Sequence, residues 1–445
     1  MVGDLRLLVQ SEMSQPWRQA MNALPVPKIG RPFLLLSLSV SLCWSAAACQ
    51  SPAEHGAPCE RTSLVLRALL ADDADPSRFA QAIYALAELA DEAPPARDAL
   101  IDRWLNPPQQ VSSDWLCLPW ALAPVRDPTL PRRVIACYEE GHPDEELLQR
   151  TLATIGLLGA NDREITAWLT RQLGLCPPGS QLEGQIRVLL AACNRERHQH
   201  VAWIVEGIRR GSPAGAGALD MLTFIAAHDW VTPELVDVVA ERALGDGPDA
   251  DVAVMALGRL AGAAEAATPA LERALAAARK RGDGCRTVLL ELSLARVDSQ
   301  RRQSWLRQAA KTAVAGLGGG HNMGAGAMAL RGPSAEVVKG MADLLRDTDA
   351  EVVEGTLLLL NAAGRGAADA TPAVIRTVQE GPNDHVKGEA AWSLRSIARP
   401  AAIAEIEELV VRENDAGVRR QLVDSLRIIR TGKMVAAAIG RAGTL

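Results

Sequence analysis

The chain is short of aromatic side chains: Tyr occurs twice and Phe three times in 445 residues, and Trp, with 10, supplies most of the rest. Sugar-processing clefts depend on exposed rings for stacking, so this scarcity counts against an enzyme acting on polysaccharide. Lysine is nearly missing, with six among 47 basic residues, and the formal net charge is −6. That balance excludes the basic footprint of a general nucleic-acid binder. The eight cysteines include no CxxC pair, which removes a thioredoxin-like redox pair and a zinc ribbon. A nucleophile elbow, a Walker A loop, an HExxH helix and an EF-hand loop are also absent. The apolar stretch at residues 33–43, FLLLSLSVSLC, is too short for a spanning helix, which needs about 20 apolar residues.

What is present is apolar and helix-forming. Hydrophobic residues make up 48% of the chain, and good helix formers outweigh β-branched runs, which predicts an all-α fold. Lys28 and Arg31 precede the short apolar stretch, and Ala46, Ala47 and Ala48 follow it. A positive flank, a brief apolar run and small residues describe a secretory signal over residues 1–48, with Met21 or Met13 as alternative starts. The segment Ala46–Ala47–Ala48–Cys49 resembles a bacterial lipobox, with Ala46 standing where Leu is usual. The resemblance implies lipid attachment at Cys49; ordinary Ala-x-Ala cleavage is the alternative. Several acyl chains at one N-terminus suffice for stable membrane anchoring. Gln50 follows in place of Asp, which by resemblance to enteric sorting implies an outer-membrane lipoprotein facing the periplasm; soluble periplasmic and cell-surface placements are the alternatives. Residues 49–64 then read as the lipidated Cys and a polar tether, and the chain from Cys49 onward carries a net charge of −8.

In an oxidising compartment some of the remaining cysteines can pair. Cys117 and Cys137 lie on either side of a turn at 124–128, so antiparallel helices would bring them together as a disulfide; buried thiols are the alternative. Cys176 and Cys193 flank one helix and are expected at opposite edges of the fold.

Internal repetition organises the rest. An apolar anchor recurs at Leu86, Leu122, Ile155, Leu190, Leu222, Leu257, Leu294, Leu330, Leu360, Leu394 and Leu426, about every 34 residues. Another apolar or small residue follows three positions on at every anchor except Leu330, where Pro333 stands. Residues four positions earlier, such as Ile186, Ala218, Ala253, Leu290, Ala390 and Leu422, continue the same stripe. Thirty-four residues accommodate two helices of about 12 residues and two short turns. Such a hairpin cannot bury its apolar face alone, but stacked neighbours can.

The segments DADVAVMALGRLAGAAEAATPALERAL at 249–275, HVKGEAAWSLRSIA at 385–398 and AGVRRQLVDSLRII at 416–429 resemble HEAT repeats, in particular the short phycobilisome-lyase-like type. Val352, Val386 and Val418 each stand eight residues before their anchor, as in that pattern. The resemblance covers residues 65–430 and implies a right-handed α-solenoid of about eleven two-helix repeats, with 431–445 as a C-terminal cap or tail. It implies an interaction scaffold and no cofactor. GLGGGHNMGAGAM at 316–328 departs from the pattern in its glycine content.

Chemistry-bearing residues are few. The Gly-rich stretch follows a helix and lacks the Lys-Ser/Thr of a phosphate loop. His198 and His200, two apart, diverge on a helix. Glu139, Glu140, Asp144 and Glu146 flank a turn and read as caps rather than a hydrolytic pair. The charge distribution is uneven: residues 273–311 carry a net +7 and residues 205–252 a net −6. Adjacent strips of opposite sign can orient a partner. Within the basic strip, Arg279, Lys280, Arg301, Arg302, Arg307 and Lys311 are the candidate partner-binding cations. Trp305 is the candidate anchor, since Trp and Arg dominate binding hot spots; inward packing of Trp305 is the alternative. The reading is a non-enzymatic scaffold, lipid-anchored in the cell envelope, that binds a protein partner, with no catalytic, metal or cofactor residues, no nucleic acid and no small-molecule substrate. The alternatives are an α/α-toroid-like enzyme or binder acting on envelope polysaccharide, and a lyase-like HEAT protein.

Overall fold

The computed structural model describes residue 101 and residues 129–140, 145–159, 163–193, 197–225, 229–315 and 334–431. The expectations for the signal, Cys49, the tether, Cys117, Leu86, Leu122, the Gly-rich stretch, Leu330 and the tail beyond 431 lie outside the described residues. As expected, the fold is all-α, and no strand occurs among the described residues. The helices are α1 (Leu130–Glu140), α2 (Glu145–Leu158), α3 (Arg163–Leu175), α4 (Gln181–Cys193), α5 (Arg197–Arg210), α6 (Pro213–Leu222), α7 (Pro233–Ala243), α8 (Pro248–Leu260) and α9 (Thr268–Arg281). They continue as α10 (Gly284–Val297), α11 (Arg302–Ala315), α12 (Ala335–Leu344), α13 (Ala350–Ala363), α14 (Thr371–Glu380), α15 (Asp384–Ile397), α16 (Ile403–Arg412) and α17 (Ala416–Thr431).

Local chemistry sets many helix starts. Ser212, Thr232, Asp283, Ser334 and Asn383 each cap a helix by accepting a backbone N–H with the side chain, which satisfies one of the four orphan donors of a helix N-terminus. Proline opens α6, α7, α8, α9 and α14, where its missing N–H costs nothing.

The helices sort into two alternating series. In the first, α4 packs on α6, α6 on α8, α8 on α10, α13 on α15, and α15 on α17. The second series, α5, α7, α9, α12, α14 and α16, covers it, each helix packing on a first-series neighbour in sequence. The recurrent anchors supply the seam: Ile155, Leu190, Leu222, Leu257, Leu294, Leu360 and Leu394 are at most 1% exposed, and Leu426 6%. Val352, Val386 and Val418 are buried as well.

First-series helices approach almost backbone to backbone. A methyl group added at Gly184 would overlap the Ala214 carbonyl, one at Gly217 the Gln181 carbonyl, and one at Gly355 the Ala310 carbonyl. Serines one residue before the anchor bridge two other first-series junctions, α15–α17 and α13–α15. Ser425 Oγ donates to the Ala391 carbonyl at 2.6 Å and Ser393 Oγ to the Leu357 carbonyl at 3.5 Å.

One junction departs from the alternation. After α10 the chain turns back at once, and α11 packs on both α10 and α13 and stands between them in the first series. The departure from a plain two-helix period therefore begins at Arg302, ahead of the Gly-rich stretch on which composition focused it.

Two linkers show the repetition in the backbone. The 3₁₀ segments Ala261–Ala267 and Gly364–Ala370 each kink at a buried alanine, Ala264 (φ −103°, ψ 18°) and Ala367 (φ −100°, ψ 18°). Each begins with a residue at positive φ, Ala261 at 49° and Gly364 at 59°. With ψ at −127° and −141° respectively, both lie where a Cβ is strained and glycine is not. Replacing Ala261 by Gly is therefore expected to stabilise the fold and Gly364 by Ala to destabilise it, each by about 1 kcal/mol. Thermal melts followed by circular dichroism check this: equal and unchanged melting temperatures would refute the strain.

Candidate functional site

The basic strip maps onto α9, α10 and α11, and most of its cations are spent within the fold. Arg279, near the end of α9, reaches Glu291 Oε1 at 2.7 Å and Gln308 Oε1 at 2.5 Å. Arg301 pairs with Asp298 at 2.6 Å and with Glu272 at 2.6 Å. Arg307 pairs with Asp347 at 3.0 Å, and Lys311 with Asp349 at 2.7 Å. Arg302 is half-buried and donates its Nε to the Ala295 carbonyl at 3.1 Å. Of the six cations named from the sequence, Lys280 alone is exposed with no ion pair among the described residues; on the same face of α9, two helical turns earlier, Arg273 is exposed in the same way.

Trp305 needs a correction. It is 7% exposed, and its indole Nε1 donates to Asp298 Oδ2 at 3.1 Å. The Arg301 guanidinium lies over the ring, 5.2 Å from its centroid. An aromatic ring so enclosed offers no surface to a partner. Its N–H instead finds the acceptor that a buried indole requires. Burial raises the Asp298 carboxyl, but the donors from Trp305 and from the Arg301 backbone and side chain outweigh it and hold the group below its ordinary range.

Two residues that the sequence reading passed over organise the same region. Glu291 is 0% exposed in α10, where its Oε1 also accepts from Thr312 Oγ1 at 3.2 Å. Burial pushes its carboxyl above the usual range despite the Arg279 and Thr312 donors. Glu291 stands three residues before its anchor, at the position held by Leu219, Val254, Leu357 and Ala391 elsewhere; a charge in that apolar register was the available signal. Arg286 is 5% exposed and donates to the Ala243 and Gly245 carbonyls at 2.9 and 2.7 Å. It ties the C-terminal end of α7 to the start of α10. Together with Asp246, Asp251, Met255 and Asp283 it lines an open cavity of about 650 Å³.

The acidic strip is different. On α7, Glu234, Asp237 and Glu241 occupy one face at spacings of three and four, all exposed and with no ion pair among the described residues. α7 packs on α9, whose outward face carries Arg273 and Lys280. Two neighbouring second-series helices thus present opposite, unneutralised charge.

The remaining candidates are ordinary in their surroundings. Cys137 lies half-buried on α1, and burial raises its thiol; its proposed partner Cys117 is outside the described residues. Cys176 follows α3 and Cys193 ends α4. Glu139 pairs with Arg171 at 2.7 Å. His200 Nδ1 lies 3.5 Å from Arg187, whose guanidinium also stacks on Trp203. Among the described residues no group of three or more His, Cys, Asp or Glu is placed to hold a metal ion. None of the described helices is long and apolar enough to cross a membrane.

No family model matches the chain, and no curated protein is significantly similar to it. A solved crystal structure of an engineered protein is 18% identical over 83% of this chain and 99% of its own, with a TM-score of 0.24, a similarity that carries no argument about fold or function.

Reversing Arg301, Arg302, Arg307 and Lys311 to Glu removes the cations that bind Asp298, Glu272, Asp347 and Asp349, and sets like charges beside them. The melting temperature is expected to fall by about 5 °C or more. An unchanged melt would show that these pairs do not hold α11 between its neighbours.

Proposed function

We propose that the chain is a non-enzymatic HEAT-like α-solenoid, about eleven two-helix repeats long, held at the bacterial envelope by a lipid on Cys49 and binding a protein partner. Support for the repeat architecture comes from the burial of the 34-residue anchors and the two alternating helix series. Stacked hairpins of this kind present long outer surfaces whose side chains are free to vary, which suits recognition of another protein.

The observation that carries the binding reading is the pair of oppositely charged outer faces on α7 and α9. Glu234, Asp237 and Glu241 on one helix, with Arg273 and Lys280 on the next, form a fixed dipole along the second series. Exposed charges already paired within the fold contribute little to recognition, whereas unneutralised strips steer and orient an incoming surface of complementary sign. The binding residues are accordingly placed on α7 and α9, the basic ones at the start of the most basic segment, with Lys280 common to both assignments. The partner carries a basic strip beside an acidic one, at the spacing of adjacent helices, roughly 8–10 Å.

The test is cross-linked co-purification from solubilised membranes, with the wild-type lipoprotein as bait. A stoichiometric protein is expected with wild type and lost with Glu234→Lys, Asp237→Lys, Glu241→Lys or with Arg273→Glu, Lys280→Glu. Capture that survives both reversals would overturn the surface assignment. No captured protein at all would overturn the scaffold reading, and a Cys49→Ala chain that stays in the membrane fraction would overturn the anchor.

A further inference from the structure

The outer faces of α7 and α9 match one another in spacing as well as in sign. Glu234 and Glu241 stand seven residues apart on α7, and Arg273 and Lys280 seven residues apart on α9. Two helical turns separate each pair, a rise of about 10 Å. All four are exposed with no ion pair among the described residues, as is Asp237 between the two glutamates. At the corresponding place on α9 stands Ala276, exposed and small enough to let a second surface approach.

The two helices are also level. α8 and α10 run in the same direction: Arg286 at the start of α10 lies 3.5 Å from Asp251 near the start of α8, and Gly258 near the end of α8 meets Ser293 near the end of α10. α7 and α9, which precede them, are therefore parallel. Arg281, the last residue of α9, pairs at 3.0 Å with Asp246, three residues beyond the end of α7. Glu241 lies two residues before the end of α7 and Lys280 one before the end of α9. Lys280 is thus level with Glu241, and Arg273 with Glu234, to within about one turn.

Symmetry selects the occupant. A twofold axis between two facing surfaces and parallel to these helices keeps every residue at its level and exchanges the two helices, so that α7 of one copy faces α9 of the other. Lys280 then meets Glu241, Arg273 meets Glu234, and Ala276 meets Asp237, each contact made twice. A twofold axis across the helices would instead set like charge on like. The partner required above, a basic strip beside an acidic one at the spacing of adjacent helices, is what this face itself presents.

We propose that the α7–α9 face is a homodimer interface occupied by a second copy of this chain. The inference rests on the reading of this face as the binding surface and names its occupant. Helices of 11 and 14 residues extend about 16 and 21 Å. The face is smaller than the roughly 800 Å² per partner of a standard interface. Its charged contacts lie at the surface, where salt screens them. Association is therefore weak, reversible and salt-sensitive.

Sedimentation velocity of the full chain in detergent, from about 1 to 200 µM, reads the association. A dimer is expected at about 50 mM NaCl and a monomer at about 0.5 M. Glu234→Lys, Asp237→Lys, Glu241→Lys makes both helices basic, and Arg273→Glu with Lys280→Glu makes both acidic. Each variant alone is expected to associate about tenfold or more weakly. Mixed one to one, the two variants pair with each other, and a chain carrying all five changes regains the dimer. These positions are exposed, and an unchanged thermal melt for each variant separates lost association from lost folding. A monomer at every concentration in low salt would overturn the proposal, as would a dimer indifferent to reversal of either helix. A monomer whose α7–α9 face captures a different protein from solubilised membranes overturns this occupant and leaves the binding surface standing. A dimer abolished by each reversal, with only a second copy captured, supports both.

Discussion

The close approach of first-series helices is the constraint from which the rest of the fold follows. Helices whose backbones nearly touch require small residues at the contact, and Gly184, Gly217 and Gly355 fill that role where the neighbouring carbonyls of Gln181, Ala214 and Ala310 press in. Dispersion falls off steeply with distance, so a seam at this spacing gains from every atom along it. Serine is small enough to enter the seam and reach the next backbone, as Ser393 and Ser425 do. The second series then has a defined groove to occupy, and its outward faces become the surface on which charge can vary.

The α10–α11–α13 junction shows what happens when the alternation is interrupted. Inserting α11 into the first series puts polar groups where the stripe is normally apolar. They are satisfied locally: Glu291 by Arg279 and Thr312, Trp305 by Asp298, and Lys311 and Arg307 by the acidic approach to α13. The local surplus of basic residues is matched by acids drawn from α9, α10 and the turn before α13. The sequence around α11 is thus basic for an internal reason. Breaking one partner of such a set leaves the other desolvated, which costs more than the pair contributes when intact.

How much of this was legible differs by residue. The anchors from Ile155 to Leu426 were readable because burial on a helix repeats at a period that apolar side chains betray. The helical hairpins followed from the same count. Trp305 and the paired arginines were not readable, because a linear count of charge does not say which acids come from elsewhere in the chain. Asp347 and Asp349 lie about 40 residues from the cations they bind. The opposite case is α7: Glu234, Asp237 and Glu241 were counted in the acidic strip, and only the packing reveals that no cation reaches them. Glu291 was within reach, since it breaks the apolar register three residues before an anchor.

The most direct test of the account is the thermal stability of Gly217→Val beside a control, Gly388→Ala, at a helical glycine whose added methyl meets nothing within 4 Å. The close-seam account requires that Gly217→Val lower the melting temperature steeply, by about 3 kcal/mol or more in stability, while Gly388→Ala leaves it equal or higher. If Gly217→Val melts like wild type, the first-series helices do not meet backbone to backbone, and the arrangement built on that contact is wrong.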